Sequence, residues 1–207
     1  MPLDHNIIPN NTSTHIYKLN PGDMLMIYPD NNNIYVVVDG ILVTHKLFSN
    51  TEKFSTGIIY SGSLIENMFQ HSKTYNYCYE LETLSVCYIL SISNYTFSNL
   101  SQKSYTIKSN HHHSSYRINL VDLWVHKNIK NRIVQLIMIL CEVAGKHCQH
   151  YTRIDVKLSY KTIATITGSN RNTVSHIIQQ LHKDQIIIYK KHQIIINNIL
   201  LLKSQTI

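Results

Sequence analysis

The 207-residue chain carries 19 Lys and Arg against 12 Asp and Glu, a formal net charge of +7, and is 43% hydrophobic. That is enough apolar content for one or two packed cores, yet no run suits a membrane span: the longest apolar segment, residues 133–141, is short and contains Gln135, and residues 1–20 lack the charged and apolar regions of a secretory leader. The four cysteines, Cys78, Cys87, Cys141 and Cys148, include no CxxC pair, which argues against a zinc or iron–sulfur framework and predicts reduced, mostly buried thiols.

The N-terminal half reads as strands broken by turns. Pro21-Gly22-Asp23 is a turn, Ile34-Tyr35-Val36-Val37-Val38 a buried strand, and Asp39-Gly40 the dipeptide of a type I′ hairpin leading into Ile41-Leu42-Val43-Thr44. Residues 54–60 and 75–91 continue in β-rich, aromatic composition, with a glycine-started helical turn expected at Gly62. The first hundred residues therefore predict a small antiparallel β-roll, although composition alone leaves other small barrels and cupins open. Residues 100–127 contain no Pro or Gly. There Tyr116, Leu120, Leu123 and Lys127, with Ile118, Val121 and Val125 alongside, repeat at three- and four-residue steps, which predicts a long helix with an apolar seam.

The C-terminal third carries the most chemistry. Ser159 stands in N-cap position before a short helical pattern with Ile163, Ala164 and Ile166 at core spacing, and Gly168 supplies a left-handed corner. A second helix starts at Ser169 or Asn170, buries Val174, Ile177, Ile178 and Leu181, and leaves Arg171, Asn172, Ser175 and His176 outward. Two β-branched strands follow, Ile186-Ile187-Ile188-Tyr189 and Ile194-Ile195-Ile196, around a basic turn with Lys190 and Lys191. A helical hairpin with a solvated polar face would share the first part of this pattern. The added strands make it a winged helix-turn-helix, in which the second helix enters the major groove and the basic wing holds phosphates. Charge agrees: residues 1–120 hold seven basic and eight acidic side chains, net −1, whereas residues 121–207 hold twelve and four, net +8. Such concentration is the footprint of a polyanionic partner.

From residue 128 to 196 the chain resembles the Crp/Fnr superfamily of bacterial regulators, and within it the cyanobacterial nitrogen-regulator branch, NtcA. The resemblance runs through Arg132-Ile133-Val134, Ile139-Leu140-Cys141, Ile154-Asp155-Val156-Lys157-Leu158-Ser159, Ile163-Ala164, Gly168-Ser169, Arg171 and Thr173-Val174, without gaps over about a third of the chain. It implies an α+β architecture: a cyclic-nucleotide-binding-like β-roll over residues 1–100 that senses an effector, a long dimerisation helix over 101–127, and a DNA-binding winged helix-turn-helix over 128–207. It also implies a homodimer joined through Tyr116, Leu120 and Leu123, with Trp124 in that seam or against Ile133 and Val134. The operator would be palindromic double-stranded DNA with GTA half-sites, read by Ser159, Ser169, Asn170, Arg171, Asn172, Thr173, Ser175 and His176 and steadied by Lys190 and Lys191. Where the family usually has a second Arg, this chain has His176. Contact with a bacterial-type RNA polymerase, activation of nitrogen-metabolism genes and a plastid-stroma or bacterial-cytoplasm location follow from the same resemblance. A chain rich in Ile, Asn, Lys and Tyr and poor in Ala and Gly also suggests an A+T-rich gene, and it resembles the homologue of that branch kept in red-algal plastid genomes.

In relatives of that branch a 2-oxoglutarate dianion is held by amides after a glycine and by two Arg. Here the glycine stretch matches as Gly62-Ser63-Leu64, but Thr74 and His113 stand where the Arg belong, leaving Lys73 and Arg117 as substitutes. The resemblance therefore implies a 2-oxoglutarate-like effector that is weakly held or lost. No metal is expected: His111-His112-His113 project roughly 100° apart on a helix and have no carboxylate or thiolate at i+3 or i+4. Nor is an enzyme, since phosphate loop, nucleophile elbow, HExxH and paired catalytic carboxylates are missing. The remaining alternatives are a Crp-like regulator with another or no effector, and a ligand-sensing adaptor that binds protein or RNA.

Overall fold

The computed structural model describes residues 14–65, 69, 76–103 and 117–205. Its N-terminal part is a roll of two sheets. Strands β1 (His15–Leu19), β8 (Cys87–Ser93), β3 (Asn33–Asp39) and β6 (Leu64–Ile65) form one, in that order; β2 (Met24–Ile27), β7 (Tyr77–Thr83), β4 (Ile41–Phe48), β5 (Lys53–Tyr60) and β9 (Arg117–Asn119) form the other. Alternation along β4 and β7 splits their side chains between two cores. Leu42, Leu81 and Tyr79 join Val37, Ile59 and Ile89 inside the roll, while Ile41, Val43, Ile58 and Leu84 face outward into a second core shared with the C-terminal part.

Asp39-Gly40 does not close a hairpin. It carries the chain from one sheet to the other, because β3 pairs with β6 and β8, and β4 with β5 and β7. Gly40 adopts φ +102°, and a Cβ there would lie 2.5 Å from the Cys87 Sγ, so glycine is needed for both reasons. After the turn at Gly62 the described chain enters β6 instead of a helical turn; residues 66–68 and 70–75 lie outside the described residues.

The long helix over 101–127 is not continuous. Helix α1 (Asn94–Lys103) ends within it, residues 104–116 lie outside the described residues, and residues 117–119 form β9 against β5. Asn119 then caps a 3-10 turn, Leu120–Val125, by accepting the Val121 N–H at 3.0 Å. Leu120 and Leu123 are both fully buried within the chain's own core. Their three-residue spacing thus reflects packing inside the protomer's own core, where the side chains expected to form a dimer seam are spent; Tyr116 lies outside the described residues. Leu123→Ala should accordingly cost about 2–5 kcal/mol in urea unfolding. The Leu120→Asp, Leu123→Asp pair should yield unfolded chain on circular dichroism, where a surface seam would have given folded monomers.

Helix α2 (Ile129–Ala144), capped by the Asn128 side chain, opens the C-terminal part. Its buried Ile133, Val134, Leu136, Ile137 and Leu140 pack on α3 (Tyr160–Thr167) and on a four-stranded sheet of β10 (Gly145–His147), β11 (Thr152–Ile154), β13 (Gln193–Ile196) and β12 (Ile187–Lys190). Helices α4 (Arg171–Lys183) and α5 (Ile199–Ser204) complete it. All four cysteines are free; Cys87 and Cys141 are buried as expected, and burial pushes the Cys141 thiol up to about 11, but Cys148 is exposed. No helix of the described residues is long and apolar enough to cross a membrane.

Candidate nucleic-acid interface

Two helices and a corner are built as the residue types dictate. Ser159 caps α3, its Oγ accepting the Thr162 N–H at 3.0 Å, and Gly168 ends the helix at φ +63°, ψ +43°. Asn170 caps α4 by accepting the Thr173 N–H at 2.8 Å. Val174, Ile178 and Leu181 are buried and Ile177 is half-buried, so the polar face of α4 is held away from the core. On that face Arg171, Asn172 and His176 are exposed, with Thr173 and Ser175 half-exposed beside them. The first turn of α4 contains no acidic residue, so the positive end of the helix dipole and Arg171 act in the same direction.

Strands β12 and β13 pair from Ile187↔Ile196 to Lys190↔Gln193, and Lys190 and Lys191 stand exposed at the tip. Three of the expected DNA-contact side chains have structural work. Ser159 and Asn170 are caps, and Ser169 Oγ sits 2.9 Å from Thr167 Oγ1 within the corner. The exposed set that remains, Arg171, Asn172, His176, Lys190 and Lys191, matches groove-reading and phosphate-holding chemistry.

The corner is fixed by residues whose part sequence reasoning missed. Arg132 donates from Nε to His126 O at 2.7 Å and from a terminal nitrogen to Thr167 O at 3.0 Å, and its guanidinium lies 4.6 Å from the Trp124 ring centre. Trp124 in turn stacks on Phe54 of β5, 5.9 Å between ring centres, and presses against Gly168. It belongs to an internal joint between the roll and the helix-turn-helix corner. The joint continues through Lys157, whose N–H donates to Leu84 O at 2.7 Å and whose Nζ donates to Pro21 O at 2.8 Å. Thr162 of α3 donates to Glu82 of β7 at 2.8 Å. Only spatial neighbours far apart in sequence reveal these roles.

The expected effector residues do not assemble among the described residues. The Gly62 N–H donates to Val37 O at 2.8 Å and the Ser63 N–H to Tyr60 O at 3.0 Å, so both amides are already paired. Leu64 is half-buried in β6. Arg117 donates to Thr56 Oγ1 at 2.9 Å from β9, and Lys73 and His113 lie outside the described residues.

Residues 131–204 match the Crp-like helix-turn-helix domain. The chain is 28% identical to ycf28 of Porphyra purpurea, named as an HTH-type transcriptional regulator, over 205 residues that cover 92% of this chain and 81% of that one. The global nitrogen regulator of Synechocystis sp. is 31% identical over 86 residues, covering 42% of this chain and 38% of the relative, so that likeness spans well under half of either protein. Among solved structures, TTHB099, a CRP-family transcriptional regulator from Thermus thermophilus, superposes with a TM-score of 0.66 at 12% identity, covering 92% of this chain and 96% of that one. FixK2 from Bradyrhizobium japonicum gives 0.65 at 14% identity, covering 93% and 96%. At these identities the structures share the fold.

Proposed function

We propose that this chain, whose residues 131–204 match the Crp-like helix-turn-helix domain, is a transcription regulator of the Crp/Fnr type that binds a palindromic operator as a homodimer and regulates nitrogen-assimilation genes together with a bacterial-type RNA polymerase. The observation that carries the operator reading is the exposed Arg171, Asn172 and His176 face of α4, flanked by the Lys190-Lys191 wing. One winged helix reads one half-site, so two copies about 34 Å apart supply the specificity a regulator needs. With Leu120 and Leu123 internal, the contact between copies is assigned to the exposed Val121 and Val125 of the same turn. The likeness to ycf28 of Porphyra purpurea supports a plastid stroma setting.

Fluorescence anisotropy with a duplex holding two GTA half-sites tests this reading. Binding should survive excess unrelated duplex and fall steeply with salt. Equal competition by unrelated duplex, or capture of RNA or protein in preference, would favour the adaptor reading.

The effector reading is a sensor that has drifted from 2-oxoglutarate. A dicarboxylate needs several preorganised donors, and here two amides are spent on Val37 and Tyr60 carbonyls while Arg117 is held by Thr56. Calorimetry with 2-oxoglutarate should show no micromolar isotherm. A stoichiometric micromolar isotherm lost in Lys73→Ala or Arg117→Ala would mean that the clamp has been rebuilt.

A further inference from the structure

On the outer face of the second sheet, under the reading domain, β4 and β7 bring three ligand-type side chains together. The register pairs His45 with Glu80 and Val43 with Glu82, so His45, Glu80 and Glu82 project from one face. One ligand atom from each lies within 4.8 Å of the others. His45 is wholly buried; its Nδ1 sits 2.9 Å from Ser55 Oγ, and its Nε2 faces Glu82 Oε2, 3.4 Å away, with no hydrogen-bond partner of good geometry among the described residues. The second carboxylate oxygen of Glu82 is separately engaged, accepting from Thr162 of α3 at 2.8 Å. Lys53 completes the group, ion-paired with Glu80 and 3.8 Å from Glu82, on a side chain that is 24% exposed.

We propose that His45, Glu80 and Glu82 form a binding site for a divalent d-block cation, Zn²⁺ foremost, at the joint between the roll and the reading helices, with Lys53 as the resident cation that the metal displaces. Three features converge on it. An imidazole oriented through one nitrogen by an oxygen partner, with the other nitrogen aimed at carboxylates and unsatisfied, is how metal-binding histidines are held. The 3.4 Å between Nε2 and Oε2 is already about the edge of a tetrahedron with bonds of roughly 2.1 Å. Glu80, whose ligand oxygen lies within 4.8 Å of the other two, closes on the site by rotating its carboxylate. Charge provides the third: two carboxylates with Lys53 leave a buried −1, whereas two carboxylates with Zn²⁺ and Lys53 swung to water are neutral. Nitrogen and carboxylate donors suit Zn²⁺ with a water as fourth ligand, and a metal held on Oε2 leaves Oε1 for Thr162, so the cation would brace α3 against the sheet.

The test is a calorimetric titration of ZnCl₂ into the purified full chain, in a His111→Ala, His112→Ala, His113→Ala background that removes the imidazole run. One Zn²⁺ per chain is expected, weakened at least about tenfold by His45→Gln and by Glu80→Gln. Lys53→Ala should tighten it, an effect that does not depend on the buried variants folding. Binding that His45→Gln leaves untouched, or no binding in either the parent or Lys53→Ala, would overturn the proposal. The readout involves no DNA, so its failure is distinct from failure of the operator reading.

Discussion

Arg171→Ala should weaken binding to a GTA-containing operator by about 10- to 100-fold, corresponding to the roughly 1–3 kcal/mol that a bidentate guanidinium contributes at a guanine edge. Binding to random duplex should change by only a few fold. Arg171 is the first residue of α4, exposed, on a helix whose start is fixed by the Asn170 cap and whose opposite face is anchored by Val174 and Ile178. Its direction is therefore set by the backbone and not by chance packing. Anisotropy on both duplexes decides the matter, because a phosphate contact would lower both affinities alike. His176, one and a half turns further on, offers a shorter donor than a guanidinium; Asn172 shares the exposed face.

Gly168→Ala should be more damaging to the fold than any surface substitution in this domain. The residue sits at φ +63°, where a side chain costs about 1–2 kcal/mol. The new Cβ would also lie 2.1 Å from the Trp124 ring, and overpacking of that kind adds about 1–3 kcal/mol. A loss near 2–5 kcal/mol should appear as a Tm lowered by several degrees or more in thermal melts followed by circular dichroism. Adding Trp124→Leu should restore part of it. Strict additivity of the two changes would mean that the ring is not what the glycine accommodates.

The helix-turn-helix was legible because its signals are local. Ser159, Gly168 and Asn170 define the caps and corner within a dozen residues, and the buried positions of α4 follow a 3.6-residue period with no competing explanation. Residues 117–125 were misread for the opposite reason. The three- and four-residue steps through Leu120, Leu123 and their neighbours fit a long dimer helix, yet burial of Leu120 and Leu123 against β5 and α2 produces the same spacing from a strand and a single 3-10 turn. Asp39-Gly40 was equally ambiguous, since a tight reversal and a sheet-to-sheet step both need a glycine at positive φ. In Tyr79-Glu80-Leu81-Glu82 the alternation marks a strand with one polar face, and nothing local reveals that this face lies beneath another domain, opposite His45. The pairing of the Gly62 and Ser63 amides with Val37 and Tyr60 is likewise a property of the assembled sheets.

Trp124 is the only tryptophan in the chain, and it stands where Phe54 of the roll, Arg132 of α2 and Gly168 of the reading corner meet. Its indole nitrogen is buried with no hydrogen-bond partner among the described residues. The protein thus contains a built-in optical gauge of its own articulation. Excited selectively near the red edge of protein absorption, this single fluorophore should shift its emission to longer wavelength whenever water reaches the joint, and shift it back when roll and reader close. Any compound, ion or duplex that alters how the two parts meet can then be followed in solution without a label.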